Sequence, residues 1–178
     1  MIDELIDAVI DREGGYVRHP ADRGGATRYG ITEAVARANG YVGDMRQFAR
    51  PAAVAIYRRA YWQQPGLDRV ATRAPKLAAE LFDTGINMGP GTAVTFLQRA
   101  LNALNRGASD YPDVPLDGRV GPATLAALDR FLATRGTAAQ SVLVKAIDSL
   151  QGERYLSLAE KRPADEAFLY GWLAQRVG

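Results

Sequence analysis

The sequence contains no cysteine and a single histidine, His19. These shortages exclude a Cys/His zinc site, a Cys nucleophile served by a His base and a multi-histidine metal centre. Neither a GxSxG elbow, a GxxxxGK(S/T) phosphate loop nor a GxGxxG dinucleotide fingerprint occurs, and neither a metal nor a cofactor is expected. Any catalysis therefore falls to carboxylates, hydroxyls and Arg. No uncharged apolar run approaches the roughly 20 residues that span a bilayer, so no stable membrane insertion is expected. The net charge is +2 with a pI near 9.0, without the block of Lys and Arg that forms a nucleic-acid arm. The start MIDELIDAVIDRE is acidic and amphipathic, where a secretory signal needs a basic opening and an unbroken apolar stretch. The expectation is synthesis in the cytoplasm without a signal peptide. What is present, 47% hydrophobic and 24% charged residues in a chain of 178, suits a globular protein with its own core.

Helical spacing dominates. Ile2, Leu5, Ile6, Val9 and Ile10 form one apolar stripe that Gly14 and Gly15 stop. Residues 16–30 are rich in Gly, Pro and polar side chains and predict a short hairpin or functional loop. Thr32 and Asp44 are placed to cap short helical segments, and Pro51 to open a helix that runs to Trp62. Further helices are predicted over 75–86, over 93–104 with Thr92 as cap, from Pro122, after Thr137, and over the closing AFLYGWLAQRV. Asn105 to Pro122 reads as a loop with an Asp117-Gly118 turn. The expected class is mostly α with one small β element near residues 16–30. The seam QQPGLDRVATRAP suggests a catalytic region over 1–70 and a helical region over 71–178, packed together as one compact unit.

Glu13 breaks the pattern of the first helix. Eleven residues after Ile2, at about 100° each, it returns to within roughly 20° of that residue's direction, at the end of the apolar stripe. It also occupies the last helical turn, where the dipole favours cations. Desolvation and dipole both act against the charged form, the condition a general acid needs near neutral pH. The plain alternative is a Glu that reaches past a frayed helix end into water. Asp22 follows nine positions later and Thr27 five beyond that. Asp22 reads either as a turn residue or as a second carboxylate folded back toward Glu13. Two carboxyls in different environments are the minimum for glycoside hydrolysis. Tyr29, Tyr57, Tyr61 and Trp62 are candidates for stacking on sugar or for the core, and Asp83 with Asn87 for shaping a cleft or capping a helix.

The run Glu13-Gly14-Gly15-Tyr16-Val17, followed by Pro20-Ala21-Asp22-Arg23-Gly24-Gly25-Ala26-Thr27-Arg28-Tyr29-Gly30-Ile31-Thr32, resembles the signature of the glycoside hydrolase 108 family. These are peptidoglycan N-acetylmuramidases, often phage endolysins. Tyr57-Arg58-Arg59-Ala60-Tyr61-Trp62 and Phe82-Asp83-Thr84-Gly85-Ile86-Asn87-Met88-Gly89 are similar to later segments of that family. Leu116-Asp117-Gly118-Arg119-Val120-Gly121-Pro122 resembles the peptidoglycan-binding region that follows it. The resemblance implies a lysozyme-like helical fold with Glu13 as catalytic acid above a small hairpin. It also implies Asp22 and Thr27 as partners that direct water or stabilise charge, with Tyr29, Tyr57, Tyr61, Asp83 and Asn87 on the substrate side. The implied partner is bacterial peptidoglycan, cleaved by a monomer that a holin or other export system lets through to the wall. Three other readings stay open: a lytic transglycosylase, a non-catalytic peptidoglycan-binding module, and a helical DNA-binding protein favoured only by the pI.

Overall fold

A computed structural model describes residues 1–17 and 25–176. The described chain is mostly helical with one small sheet, the class that the spacing predicts. It divides into two compact units, Met1–Gln64 and Pro65–Gly178. Among the described residues no helix is long and apolar enough to cross a membrane.

In the first unit, α1 (Ile2–Glu13) buries Ile6, Val9 and Ile10 from its apolar stripe. Gly14, at φ +70°, then turns the chain out of the helix. Three two-residue strands follow: β1 (Tyr16–Val17), β2 (Thr27–Arg28) and β3 (Ile31–Thr32). They form an antiparallel sheet in chain order, with Tyr16 opposite Arg28 and Arg28 opposite Ile31. The Thr32 hydroxyl caps α2 (Glu33–Ala38) by accepting from the Val35 amide at 3.3 Å. The Asp44 carboxylate likewise accepts from the Arg46 amide, at 2.8 Å, ahead of a 3₁₀ turn over Met45–Gln47. Pro51 stands in the first turn of α3 (Arg50–Ile56), which runs on into a π-helical stretch, Tyr57–Gln63. Ile31, Phe48, Ile56, Tyr57 and Trp62 complete this core. Arg50–Asp7 at 2.7 Å and Arg58–Asp3 tie α3 and the π-helical stretch to α1. Exposed pairs of this kind contribute at most about 1 kcal/mol each, so apolar burial holds these elements together.

In the second unit, a short helix α4 (Leu67–Ala71) occupies the stretch that the composition reads as a break. It is followed by α5 (Pro75–Met88), α6 (Pro90–Leu104), α7 (Pro122–Arg135), α8 (Ala139–Lys161) and α9 (Glu166–Arg176). Three of these begin at a proline, whose missing N–H costs nothing at a first helical position. Leu77, Leu81 and Phe82 of α5 pack with Val94, Leu97 and Leu101 of α6 and Leu143 and Ile147 of α8 in the buried core. Two caps differ from expectation. Because Pro90 starts α6, Thr92 lies inside the helix, and Thr137 falls in a 3₁₀ turn ahead of α8. The loop after α6 is held by side-chain amides of that helix. Gln98 donates to Asp117 Oδ1 (2.7 Å) and to the Arg119 carbonyl (3.0 Å), and accepts from the Gly118 amide (3.0 Å). Asn102 pairs with both the N–H and the C=O of Val114.

Candidate active site

Glu13 is the last residue of α1, and its side chain is 31% exposed. It is therefore half-buried, neither sealed in the core nor reaching freely into water. Arg12 Nε lies 3.9 Å from Glu13 Oε1. Directly after it, the Gly14 amide closes the helix by donating to the Ile10 carbonyl at 3.0 Å. The Gly14 carbonyl accepts from the Tyr29 amide at 3.2 Å.

That second bond fastens the helix end to the hairpin turn. Tyr29 and Gly30 join β2 to β3 with φ of +54° and +74°, the paired left-handed geometry of a two-residue turn whose twist matches the strands. From the other side the Tyr57 hydroxyl donates to the Tyr29 carbonyl at 3.0 Å. Tyr29 is thus bonded both to the end of α1 and to the π-helical stretch. Gly30 is required for space as well as for φ. A Cβ there would overlap Tyr57 Oη and lie 3.0 Å from Glu13 Cγ. The carboxyl-bearing side chain packs against the bare α-carbon of the turn.

Burial pushes the Tyr57 phenol upward, and the Glu13 carboxylate raises it further, as expected of two groups that face each other. Burial also raises the Tyr61 hydroxyl, whose ring tilts against Tyr57 with centroids 5.4 Å apart. Tyr57 is 1% exposed and offers no face to a sugar; it acts here as a brace. Tyr29 and Tyr61 are partly exposed, and Arg28 lies over the Tyr29 ring at 5.1 Å. A π-helical stretch is a familiar companion of functional sites, and this one carries Tyr57 and Tyr61.

The structure thus brings together Glu13, Tyr29, Tyr57 and Tyr61. Thr27 sits on β2 between Val17 and Thr32. Asp22 and His19 lie outside the described residues. Asp83 and Asn87 belong to the second unit, one turn apart on α5, where Asn87 Nδ2 donates to Asp83 Oδ2 at 2.9 Å. Spacing alone did not single out Gly30 or Arg12. It also missed Glu80, which shares a hydrogen bond with Asp148 of α8. Burial first, and then Asp148, push the Glu80 carboxyl up to about 7, and burial raises Asp148 as well. The signal was present as a polar stripe on α5: Glu80, Asp83, Thr84 and Asn87 at i, i+3, i+4 and i+7.

A half-buried carboxyl at a helix end beside a small hairpin supplies one of the two carboxyl groups that glycoside hydrolysis uses. Residues 6–89 match the family model of glycosyl hydrolase 108, and residues 92–177 match a second model described as a predicted peptidoglycan domain. The first segment belongs to the glycosyl hydrolase 108 family and the second is a peptidoglycan-binding region; the chain is a peptidoglycan-hydrolysing glycosidase. The hydrolase segment runs through α5, so Asp83 and Asn87 fall inside it. The solved structure of Brucella abortus SagA is similar over 94% of this chain and 95% of that one, with 28% identity and a TM-score of 0.63. No curated protein matches the chain.

Proposed function

We propose that the chain is an N-acetylmuramidase that hydrolyses the β-1,4 bond between N-acetylmuramic acid and N-acetylglucosamine, with Glu13 as general acid. The observation that carries this reading is the bracing of Glu13. Its side chain rests on Gly30, in a turn bonded to the helix end through Tyr29 and Gly14 and to Tyr57 through the Tyr29 carbonyl. A general acid must hold its proton at one point in space, and a side chain that packs on a turn itself bonded on both sides is restricted in where its carboxyl can lie.

In this reading Glu13 gives its proton to the glycosidic oxygen as the bond to C1 of the muramic acid breaks. Positive charge develops on the ring, water adds to C1, and the water's proton passes to a carboxylate. We assign Asp22 and Thr27 to directing that water or stabilising that charge. Tyr29, Tyr61, Asp83 and Asn87 are the proposed substrate contacts, while Tyr57 positions the turn. The enzyme would act as a monomer of endolysin type, made in the cytoplasm and reaching the wall through a holin or comparable export route.

Mass spectrometry of digested sacculi tests the reaction. Hydrolysis leaves reducing muramic acid ends, each carrying the added water. A lytic transglycosylase would instead close a 1,6-anhydro ring on the muramic acid, giving products lighter by one water. Reducing ends support the proposal; anhydro ends overturn it in favour of the transglycosylase.

A further inference from the structure

The second unit holds a hollow of about 420 Å³ between the end of α5, the C-terminal half of α8 and α9. That volume falls within the range of small-ligand sites. Part of its lining is aromatic: Trp172 of α9 lies over Tyr155 of α8, with ring centroids 5.2 Å apart and planes 30° apart. Tyr155 is itself fixed in place, because its hydroxyl accepts from Gln151 Nε2 at 3.2 Å and Gln151 Oε1 accepts from Thr84 of α5 at 2.7 Å. The lining is also cationic. Arg154 and Arg162 line the hollow, and among the described residues neither forms an ion pair. Asp165 is the only carboxylate among the lining residues, so the two guanidiniums leave the hollow with an excess of positive charge.

Unpaired guanidiniums beside a small apolar wall suit a ligand that carries carboxylates and methyl groups together. Arg offers a planar fork that binds a carboxylate through two hydrogen bonds, and the aromatic faces cover small alkyl groups. In the intact wall the glycan offers ring faces and acetyl methyls but little negative charge, because the lactyl carboxyl of each muramic acid that bears a stem is taken up in the amide bond to it. The peptide stem of peptidoglycan has both features, as a short acidic chain with alanine methyls and free carboxylates.

We infer that this hollow is a stem-peptide subsite: Arg154 and Arg162 take carboxylates of the stem, and Trp172, backed by the buried Tyr155, takes its methyl groups. The inference rests on peptidoglycan being the substrate and adds which part of it the second unit grips. Wall recognition would then depend on peptide chemistry in the second unit and on sugar chemistry at Glu13.

Calorimetric titration of the full-length protein with a synthetic stem tetrapeptide, free of sugar, tests this directly. Saturable binding is expected, weakened about 10- to 100-fold by Arg154→Gln or Arg162→Gln, whose exposed side chains can change without disturbing the core. Amidation of the peptide's carboxylates should weaken it to a similar extent, and Glu13→Gln should leave the affinity unchanged. No saturable binding, equal affinity in the arginine variants, or stronger binding of peptide-stripped glycan than of the stem would overturn the inference. Because the readout involves no turnover, its failure would leave the muramidase reading standing, and products of the wrong kind would leave this subsite standing.

Discussion

Replacing Gly30 by alanine separates two costs that usually come together. Gly30 and Gly40 both have strongly positive φ, +74° and +88°, but a Cβ on Gly40 meets nothing within 4 Å. In either position alanine pays roughly 1–2 kcal/mol for the left-handed backbone. At Gly30 the new methyl also overlaps Tyr57 Oη and crowds Glu13 Cγ. Relief requires the Tyr57 hydroxyl to leave the Tyr29 carbonyl, and a buried polar group that loses its partner costs about 1–3 kcal/mol more. Gly30→Ala should therefore be the less stable variant by about 1–3 kcal/mol in urea unfolding. Its turnover on purified peptidoglycan should fall by about 100-fold, because a displacement of about 1 Å at a catalytic group has effects of that order. Gly40→Ala should retain activity near that of the parent. Equal stability and equal turnover in the two variants would refute the claim that Gly30 seats Glu13.

Tyr57→Phe removes the hydroxyl that holds the Tyr29 carbonyl at 3.0 Å; a loss of about 1–3 kcal/mol, together with reduced kcat, is expected, and an unchanged kcat would count against the bracing role. Because Glu80 is pushed from an ordinary value of 4.5 up to about 7, the folded state binds its proton more readily than the unfolded chain does. The stability from this group is fully present below about pH 4.5 and is lost as pH rises through about 7. Since Glu80 is partly exposed, the loss should be about 1–2 kcal/mol, read as a falling urea midpoint that Glu80→Gln flattens; a parent that is equally stable across this window would contradict it. Gln98→Leu strips partners from the Gly118 amide, the Arg119 carbonyl and Asp117, and should cost about 2–4 kcal/mol; a thermal unfolding change equivalent to less than about 0.5 kcal/mol would rule out its role in holding the loop.

The helices were legible where local rules operate without competition. The stripe of α1, its stop at Gly14, the Thr32 and Asp44 caps and the prolines at 51 and 122 all act over at most a few turns of chain, and the structure places each within one residue of where spacing suggests. Thr92 and Thr137 misled because a proline and a 3₁₀ turn claimed the helix starts first. The π-helical stretch over Tyr57–Gln63 has no sequence period of its own, so it reads as a continuation of α3. At the site, Glu13 stood out because a charge ended an apolar stripe. Its brace did not, because the contacts from Gly14 to Tyr29 and from Tyr29 to Tyr57 cross 15 and 28 positions and depend on how the hairpin folds back. The Glu80–Asp148 pair was hidden for the same reason, with its two carboxyls on helices far apart in the chain.

Glu13→Gln tests the central claim most directly. Glutamine keeps the size and polarity of the side chain beside Gly30 but has no acidic proton to transfer to the glycosidic oxygen. Turnover of purified peptidoglycan should fall by at least about 100- to 10,000-fold, while the urea midpoint and the affinity for undigested sacculi stay as in the parent. A folded Glu13→Gln protein that clears peptidoglycan at a rate within a few-fold of the parent would remove Glu13 from the chemistry.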